Sequence, residues 1–436
     1  MAETRPVVAI PKLRDASGGS PSVAPWPWTD RMLATLRKGV KGGKWYSLSD
    51  KVWHLQTLFL AWQQVRRNGG GSGVDGQSIA SFEANLDREL RQLHDELCHN
   101  RYRPRAIKRV WIPKPGSQDK RPLGIPTVRD RVVQAALRLM IEPIFEQQFA
   151  PHSYGFRPGR GCKDALRRVD QLLKDGHAWV VDADLKSYFD TIPHEPLMNL
   201  LRDALADQRL LGWLESFLKQ SIMEDLKEWT PLHGTPQGAV ISPLLANLYL
   251  NGLDHEMARR GYHMVRYADD FVILCRTAEE AHEALVFIRT WVSQAGLTLH
   301  PEKTRIVEHE HQGFDFLGYH FSGRHHWPRK KSLEKFKARI RELTDRRHGQ
   351  SFREIIAQLN PVLRGWYGYF KHCDHHVFER LDRWIRHRLR SILLRRQGIH
   401  RWKYTVRDHQ RWPLSFFARS GLYSLHAAYM RELLTL

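Results

Sequence analysis

Val265-Arg266-Tyr267-Ala268-Asp269-Asp270-Phe271-Val272-Ile273-Leu274 is the stretch on which the reading of the fold turns. Short apolar runs stand on either side of a paired aspartate, the pattern of a tight β-hairpin with two acids at its turn. Two adjacent ionised carboxylates repel each other. The pair becomes favourable when a divalent cation lies between them. Carboxylate oxygens suit Mg²⁺, which keeps waters and substrate phosphates in its remaining positions. An Asp-Asp dipeptide alone is more often a solvated turn, so its company decides.

That company begins upstream. Val180-Val181-Asp182-Ala183-Asp184-Leu185 reads as a strand ending in acids, with Asp182 and Asp184 on one face. If this strand lies beside the hairpin, Asp184 joins Asp269 and Asp270 around two ions. Metals about 4 Å apart can activate an attacking hydroxyl and stabilise a leaving phosphate oxygen. Asp184-Leu185-Lys186-Ser187-Tyr188-Phe189-Asp190 places a bulky ring just after the first acid, and Gly234-Thr235-Pro236-Gln237-Gly238 supplies a glycine-rich turn with an amide. In this order, with the Tyr-x-Asp-Asp hairpin, these segments resemble the palm of reverse transcriptases.

Further blocks extend the resemblance over about three quarters of the chain, to the reverse transcriptase/maturases encoded by group II introns, in the nuclease-free, group IIC-like branch. Gly73-Val74-Asp75-Gly76 resembles the N-terminal extension motif. Arg121 to Pro126 and Ser153 to Pro158 resemble two finger blocks, and Leu299 to Thr304 and Phe314 to Tyr319 the sixth and seventh blocks. Leu363-Arg364-Gly365-Trp366-Tyr367-Gly368-Tyr369-Phe370 is similar to the maturase, or thumb, segment. The resemblance implies that Asp184, Asp269 and Asp270 hold two catalytic Mg²⁺ ions and that Phe189 excludes a 2′-hydroxyl. It further implies that Lys114 (with Lys120 the alternative) and Arg121 clasp the triphosphate, that Gln237 contacts the incoming nucleotide, and that Lys303 approaches the primer end or the phosphates. Taken as isolated residues, Phe189 would be a core aromatic and Lys303 a solvated surface lysine.

Composition agrees with a nucleic-acid enzyme. The chain has 436 residues and a formal net charge of +21. So basic a protein is expected to meet a polyanion, a property shared with purely structural RNA-binding proteins. From Arg324 onward, 26 Lys and Arg face 9 Asp and Glu, so the last quarter carries most of the excess. The four cysteines are scattered without a Cys-x-x-Cys pair, which argues against a cysteine-based zinc site and against the cysteine-bearing nuclease of longer relatives. His325-His326 and His375-His376 invite a metal reading but have no cysteine partner at zinc spacing. No signal-peptide pattern or membrane-length apolar run is present, so the expectation is a cytoplasmic protein without a membrane partner.

The implied architecture is α+β: a right-hand polymerase fold with fingers and palm, an antiparallel sheet plus helices, then a helical thumb and basic C-terminal helices. The expected divisions are an irregular segment at 1–47, an N-terminal extension at 48–100, fingers and palm at 101–325, thumb/maturase at 326–375 and a basic nucleic-acid-binding region at 376–436. A single helix is expected from Ser81 to about Asn100. Phe378, Leu381, Ile385, Leu389 and Ile392 recur at helical spacing, while Arg380, Arg383, Arg386 and Arg390 fall largely off that stripe. This predicts an amphipathic helix with a cationic outer face. Together with Arg364 and Lys371 it forms the candidate nucleic-acid surface, where Trp366, Tyr367, Tyr369, Trp384, Trp402 and Trp412 either stack on bases or build small cores. The implied partners are RNA template, intron RNA, DNA primer or target, and deoxynucleoside triphosphates. Two alternatives stay open: an RNA-binding maturase that does not polymerise, and a host-recruited, retron-like, defence- or CRISPR-associated reverse transcriptase.

Overall fold

The computed structural model describes residues 27–40, 42–113, 120–323, 325–347, 349–399 and 405–435. Its strands in chain order are β1 (Ile107–Pro113), β2 (Lys120–Ile125), β3 (Trp179–Asp184), β4 (Ile222–Glu224), β5 (Lys227–Trp229), β6 (His263–Tyr267), β7 (Asp270–Cys275), β8 (Arg305–Glu308), β9 (Phe314–Phe316), β10 (Tyr319–Ser322) and β11 (His325–Pro328). They build three sheets of order β2-β1-β4-β5, β6-β7-β3-β8 and β11-β10-β9. Helices pack around them, and beyond β11 the described chain is helical, so the α+β organisation holds.

The central sheet β6-β7-β3-β8 is antiparallel throughout. Phe271 to Cys275 are all buried because both faces of β7 are covered, which explains an unbroken apolar run where a one-faced strand would alternate. Val181, Ala183, Phe271 and Ile273 point into one core, shared with the helices Val128–Glu146 and Ser242–Arg259. Val180, Val265, Val272 and Leu274 point into a second core, shared with Phe336, Leu359, Tyr367, Phe378 and Leu389 of the C-terminal helices.

Local chemistry sets the helix boundaries. Thr127 caps Val128–Glu146 by accepting from the Asp130 amide at 3.1 Å. Asp130 is itself buried and takes the Tyr102 hydroxyl at 2.6 Å. Ser351 and Glu354 form a capping box at the start of Phe352–Phe370.

Two expectations need correction. The stretch after Ser81 is two helices, Ile79–Ala84 and Leu86–Cys98, because Asn85 leaves helical geometry and its side chain donates to the Ser81 carbonyl. The described part of the N-terminal segment is not irregular. Asp30–Lys38 is a helix capped by Thr29, and the flanking Trp28 and Trp45 are buried against each other edge to face. Burial of these rings outweighs the Gly and Pro signals nearby.

Candidate active site

The sheet register brings the three acids together. In the β3–β7 ladder Asp184 lies directly opposite Asp270, and Asp182 opposite Val272. Tyr267 pairs with Asp270 across the β6–β7 hairpin, which leaves Ala268 and Asp269 as the two-residue turn. Ala268 sits at φ +61°, a left-handed conformation that a hairpin turn requires and that a Cβ makes costly.

A buried cation secures that turn. Arg266 has no solvent exposure. Its Nη1 donates to the Ala268 carbonyl at 2.8 Å and to Asn247 Oδ1 at 3.0 Å, its Nε donates to Asp254 Oδ1 at 2.8 Å, and its Nη2 also binds Asp254. Asn247 Nδ2 in turn donates to the Gly155 carbonyl at 2.7 Å. Gly155 lies so close to the hairpin that a Cβ there would stand 2.3 Å from the Ala268 nitrogen. Arg266, Asp254 and Asn247 were not among the site candidates drawn from sequence. Their signal is an arginine on a strand that is otherwise apolar, beside the acids.

The acids are crowded, and among the described residues only two of them have a cation beside them. Burial, then the neighbouring Asp182, Asp269 and Asp184 carboxylates, push the Asp270 carboxyl up to about 7. Burial also raises Asp269 and Asp182 above the ordinary carboxylate range, Asp182 in spite of an Arg305 guanidinium at 3.3 Å. Lys303 Nζ donates to Asp184 Oδ2 at 2.6 Å, so the lysine expected near the phosphates is placed on the first acid. The His300 amide donates to the Asp184 carbonyl at 2.7 Å, which fixes the end of β3 beside the lysine-bearing turn.

This donor set fits hard divalent cations: oxygen-only ligands, clustered negative charge, and a lysine already neutralising one carboxylate. The three carboxylates are not drawn into a cluster with every ligand atom within 4.8 Å; among the described residues only Asp374, His375 and His376 reach that compactness.

The remaining candidates stand on other elements. Phe189 is half-buried and meets Phe156 and Tyr188 edge to face. The Thr235 amide donates to the Phe189 carbonyl at 2.7 Å, and Gln237 Nε2 donates to Asp190 Oδ2 at 3.2 Å, so the glycine-rich turn is fastened to the segment bearing Phe189. Gly234, at φ +91°, lies against Asp190, where a Cβ would come within 2.8 Å of backbone. Arg121 is exposed on β2 opposite Ile112 of β1, and Lys120 opposite Pro113. Lys114 lies outside the described residues.

The C-terminal candidates divide. Phe378, Leu381, Ile385, Leu389 and Ile392 are buried along the helix His375–Arg396. Arg380 and Arg383 are exposed on it and Arg386 is half-buried near Asp382. Arg390 does not belong to the outer face. It is buried, its Nη2 and Nε donate to the Trp412 carbonyl at 2.8 and 3.1 Å, and it stacks over Phe417, because the segment from Thr405 onward folds over the end of the helix. Lys371 is paired with Glu432 at 2.9 Å, and the exposed Arg364 lies over Tyr423. Tyr367 and Trp412 are core residues, Trp366, Tyr369 and Trp384 are half-buried, and Trp402 lies outside the described residues. Among the described residues no helix is long and apolar enough to cross a membrane.

Known proteins share this arrangement of sequence. Residues 112–321 match the family described as reverse transcriptase (RNA-dependent DNA polymerase), and residues 333–412 match the group II intron maturase-specific domain. Protein YkfC of Escherichia coli (strain K12) is 36% identical over 286 residues, 57% of this chain and 74% of that protein. The group II intron-encoded protein LtrA of Lactococcus lactis subsp. cremoris is 35% identical over 198 residues, 45% of this chain and 32% of LtrA. The putative COX1/OXI3 intron 2 protein of Saccharomyces cerevisiae is 24% identical over 415 residues, 80% of this chain and 47% of that protein. This chain thus spans about three quarters of the first relative and less than half of the other two. The hairpin acids fall inside the first matched segment and the arginine-bearing helix inside the second, and on these matches the chain belongs to the reverse transcriptases of group II intron-encoded proteins, RNA-dependent DNA polymerases with a maturase domain.

Proposed function

We propose that this chain extends a DNA 3′-hydroxyl on an RNA template by nucleotidyl transfer from deoxynucleoside triphosphates, and that it binds its parent intron RNA as a splicing maturase. The observation that carries the catalytic half is the register that sets Asp184 opposite Asp270, with Asp269 in the adjoining turn. Asp184, Asp269 and Asp270 would hold a pair of Mg²⁺ ions, which when bound supply Lewis-acid activation of the hydroxyl and neutralise charge at the phosphate.

The chain's own groups do the rest. Arg266 holds the acidic turn rigid, so the carboxylates need not reorganise during reaction. Lys303, already on Asp184, is positioned to follow negative charge from the carboxylate to the primer end or the phosphates. Arg121, with Lys114, would clasp the triphosphate. Phe189 would close the space under the sugar, and Gln237, oriented by Asp190, would meet the incoming nucleotide. Arg364, Lys371, Arg380, Arg383 and Arg386 would meet RNA phosphates, which makes affinity fall with salt. The division into fingers and palm at 101–325, thumb at 326–375 and a basic region from 376 belongs to the same reading.

Primer extension on an RNA template tests it, with Asp269→Ala as the control. Loss of extension with retained RNA binding supports the assignment. Extension unaffected by the substitution refutes it, and a wild-type chain that binds intron RNA but never extends would be a maturase alone.

A further inference from the structure

We propose that Asp374, His375 and His376, at the start of the helix His375–Arg396, form a second divalent-metal site, built for a nitrogen-preferring ion such as Zn²⁺ and separate from the acids of the hairpin. Asp374, His375 and His376 each offer a ligand atom, and these atoms lie within 4.8 Å of one another. His325 Nδ1 lies 3.2 Å from Asp374 Oδ2, and His375 Nδ1 lies 3.7 Å from Asp374 Oδ1. Donors about 2.0–2.1 Å from a tetrahedral ion stand about 3.4 Å apart. The His375–Asp374 gap lies close to that value. Imidazole with one carboxylate suits Zn²⁺, Co²⁺ or Ni²⁺ and not Mg²⁺, which prefers oxygen.

The donors are held in place by contacts of their own. The Asp374 amide donates to the His326 carbonyl at 3.0 Å, which pins the loop to β11. The His376 amide donates to Asp374 Oδ1 at 2.9 Å and orients the carboxylate. His375 stacks parallel to Tyr429, and the His375 and His376 rings lie with centroids 3.9 Å apart. His326 is turned away and bound to Asp170 through Nε2 at 2.9 Å, so it is not a ligand. One hydrogen bond from His325 would satisfy Asp374; it does not account for two further imidazoles gathered on the same side. The sequence showed both histidine pairs but gave no reason to add Asp374, which is the anion the set needs. An ion here would brace the first turn of His375–Arg396, the arginine-bearing helix.

The test uses the full chain, stripped with a chelator and then kept in excess Mg²⁺ to occupy the hairpin acids. Titration with Co²⁺ is expected to give one tight equivalent with the visible absorption of a tetrahedral nitrogen–oxygen site, displaced by Zn²⁺. The His375→Ala/His376→Ala chain should lose that equivalent with an unchanged circular dichroism spectrum, since both side chains are exposed. Asp374→Asn should weaken it without abolishing it. Equal Co²⁺ uptake by the double variant overturns the proposal. So does a wild-type chain with no tight equivalent, or an intense near-ultraviolet sulfur-to-metal band, which would assign the ion to a cysteine.

Discussion

Replacing Asp270 with Asn should make the protein more stable in the absence of divalent ions while destroying the hairpin's capacity to hold them. In the folded chain the Asp270 carboxyl keeps its proton up to about pH 7; in the unfolded chain it releases it near 3.8. Between these values the folded state binds more protons, so stability falls as pH rises, and the cost is complete above about 7. Moving a carboxyl that far corresponds to an upper bound of about 4 kcal/mol against the charged form. Asparagine has the same shape and no charge, so it removes this cost. At roughly 2–4 °C per kcal/mol for a cooperative unit of 150–250 residues, the variant should melt several degrees above wild type near pH 8, with the gap closing as pH falls toward about 4. The assay is thermal unfolding by circular dichroism in EDTA across that range, repeated with Mg²⁺. Magnesium should restore the wild type and leave the variant unmoved. A wild-type melting temperature with the same pH slope as Asp270→Asn would refute the account of repulsion among Asp182, Asp184, Asp269 and Asp270.

Other perturbations reach other parts of the machinery. Asp254→Asn leaves the guanidinium of Arg266 buried without its counter-charge and should cost about 3–5 kcal/mol, read as a lowered melting temperature; a change under 1 °C would contradict the clamp. Gly155→Ala should push the Ala268 turn aside and abolish primer extension while RNA binding persists, and a fully active variant would show the turn to be adjustable. Arg383→Ala should lower the salt dependence of RNA affinity by about one charge, whereas Arg390→Met should leave that slope unchanged and lower stability by about 1.5–3 kcal/mol through its lost charged hydrogen bonds. The reverse pattern in filter-binding and unfolding assays would exchange their roles. Phe189→Ala should admit ribonucleotides in a single-nucleotide extension assay, and unchanged discrimination would remove Phe189 from the sugar site.

The acidic core of the site was legible in sequence because its requirements are local. Short apolar runs on both sides of Asp269-Asp270 specify the hairpin, and the acids at the end of Val180-Val181 specify the neighbouring strand. What was not legible depended on contacts far apart in the chain. Arg266 reads as one more cation until Asp254 and Asn247, on another helix, are seen to enclose it. Arg390 shares its spacing with exposed arginines, and only the fold of the segment after Thr405 separates it from them. Asn85 splits a helix whose apolar periodicity runs straight through the break. Trp28 and Trp45 order a stretch rich in Gly and Pro through hydrogen bonds donated to the Leu139 and Ala204 carbonyls, partners more than a hundred positions away.

The underside of the β6-β7-β3-β8 sheet belongs to a core that runs on into the C-terminal helices. Val180, Val265, Val272 and Leu274 share that core with Ala165 and Val169 of the helix Cys162–Lys174, with Phe314 and Phe316 of β9, and with Phe336, Leu359, Phe378 and Leu389, which come from the segment matched to the maturase domain. Cutting the chain after β11 would expose the part of that core that the C-terminal helices cover, at about 25 cal/mol for each Å² of apolar surface. The two segments matched to known families, though successive in sequence, therefore share one core, and dividing the chain between them would break into it.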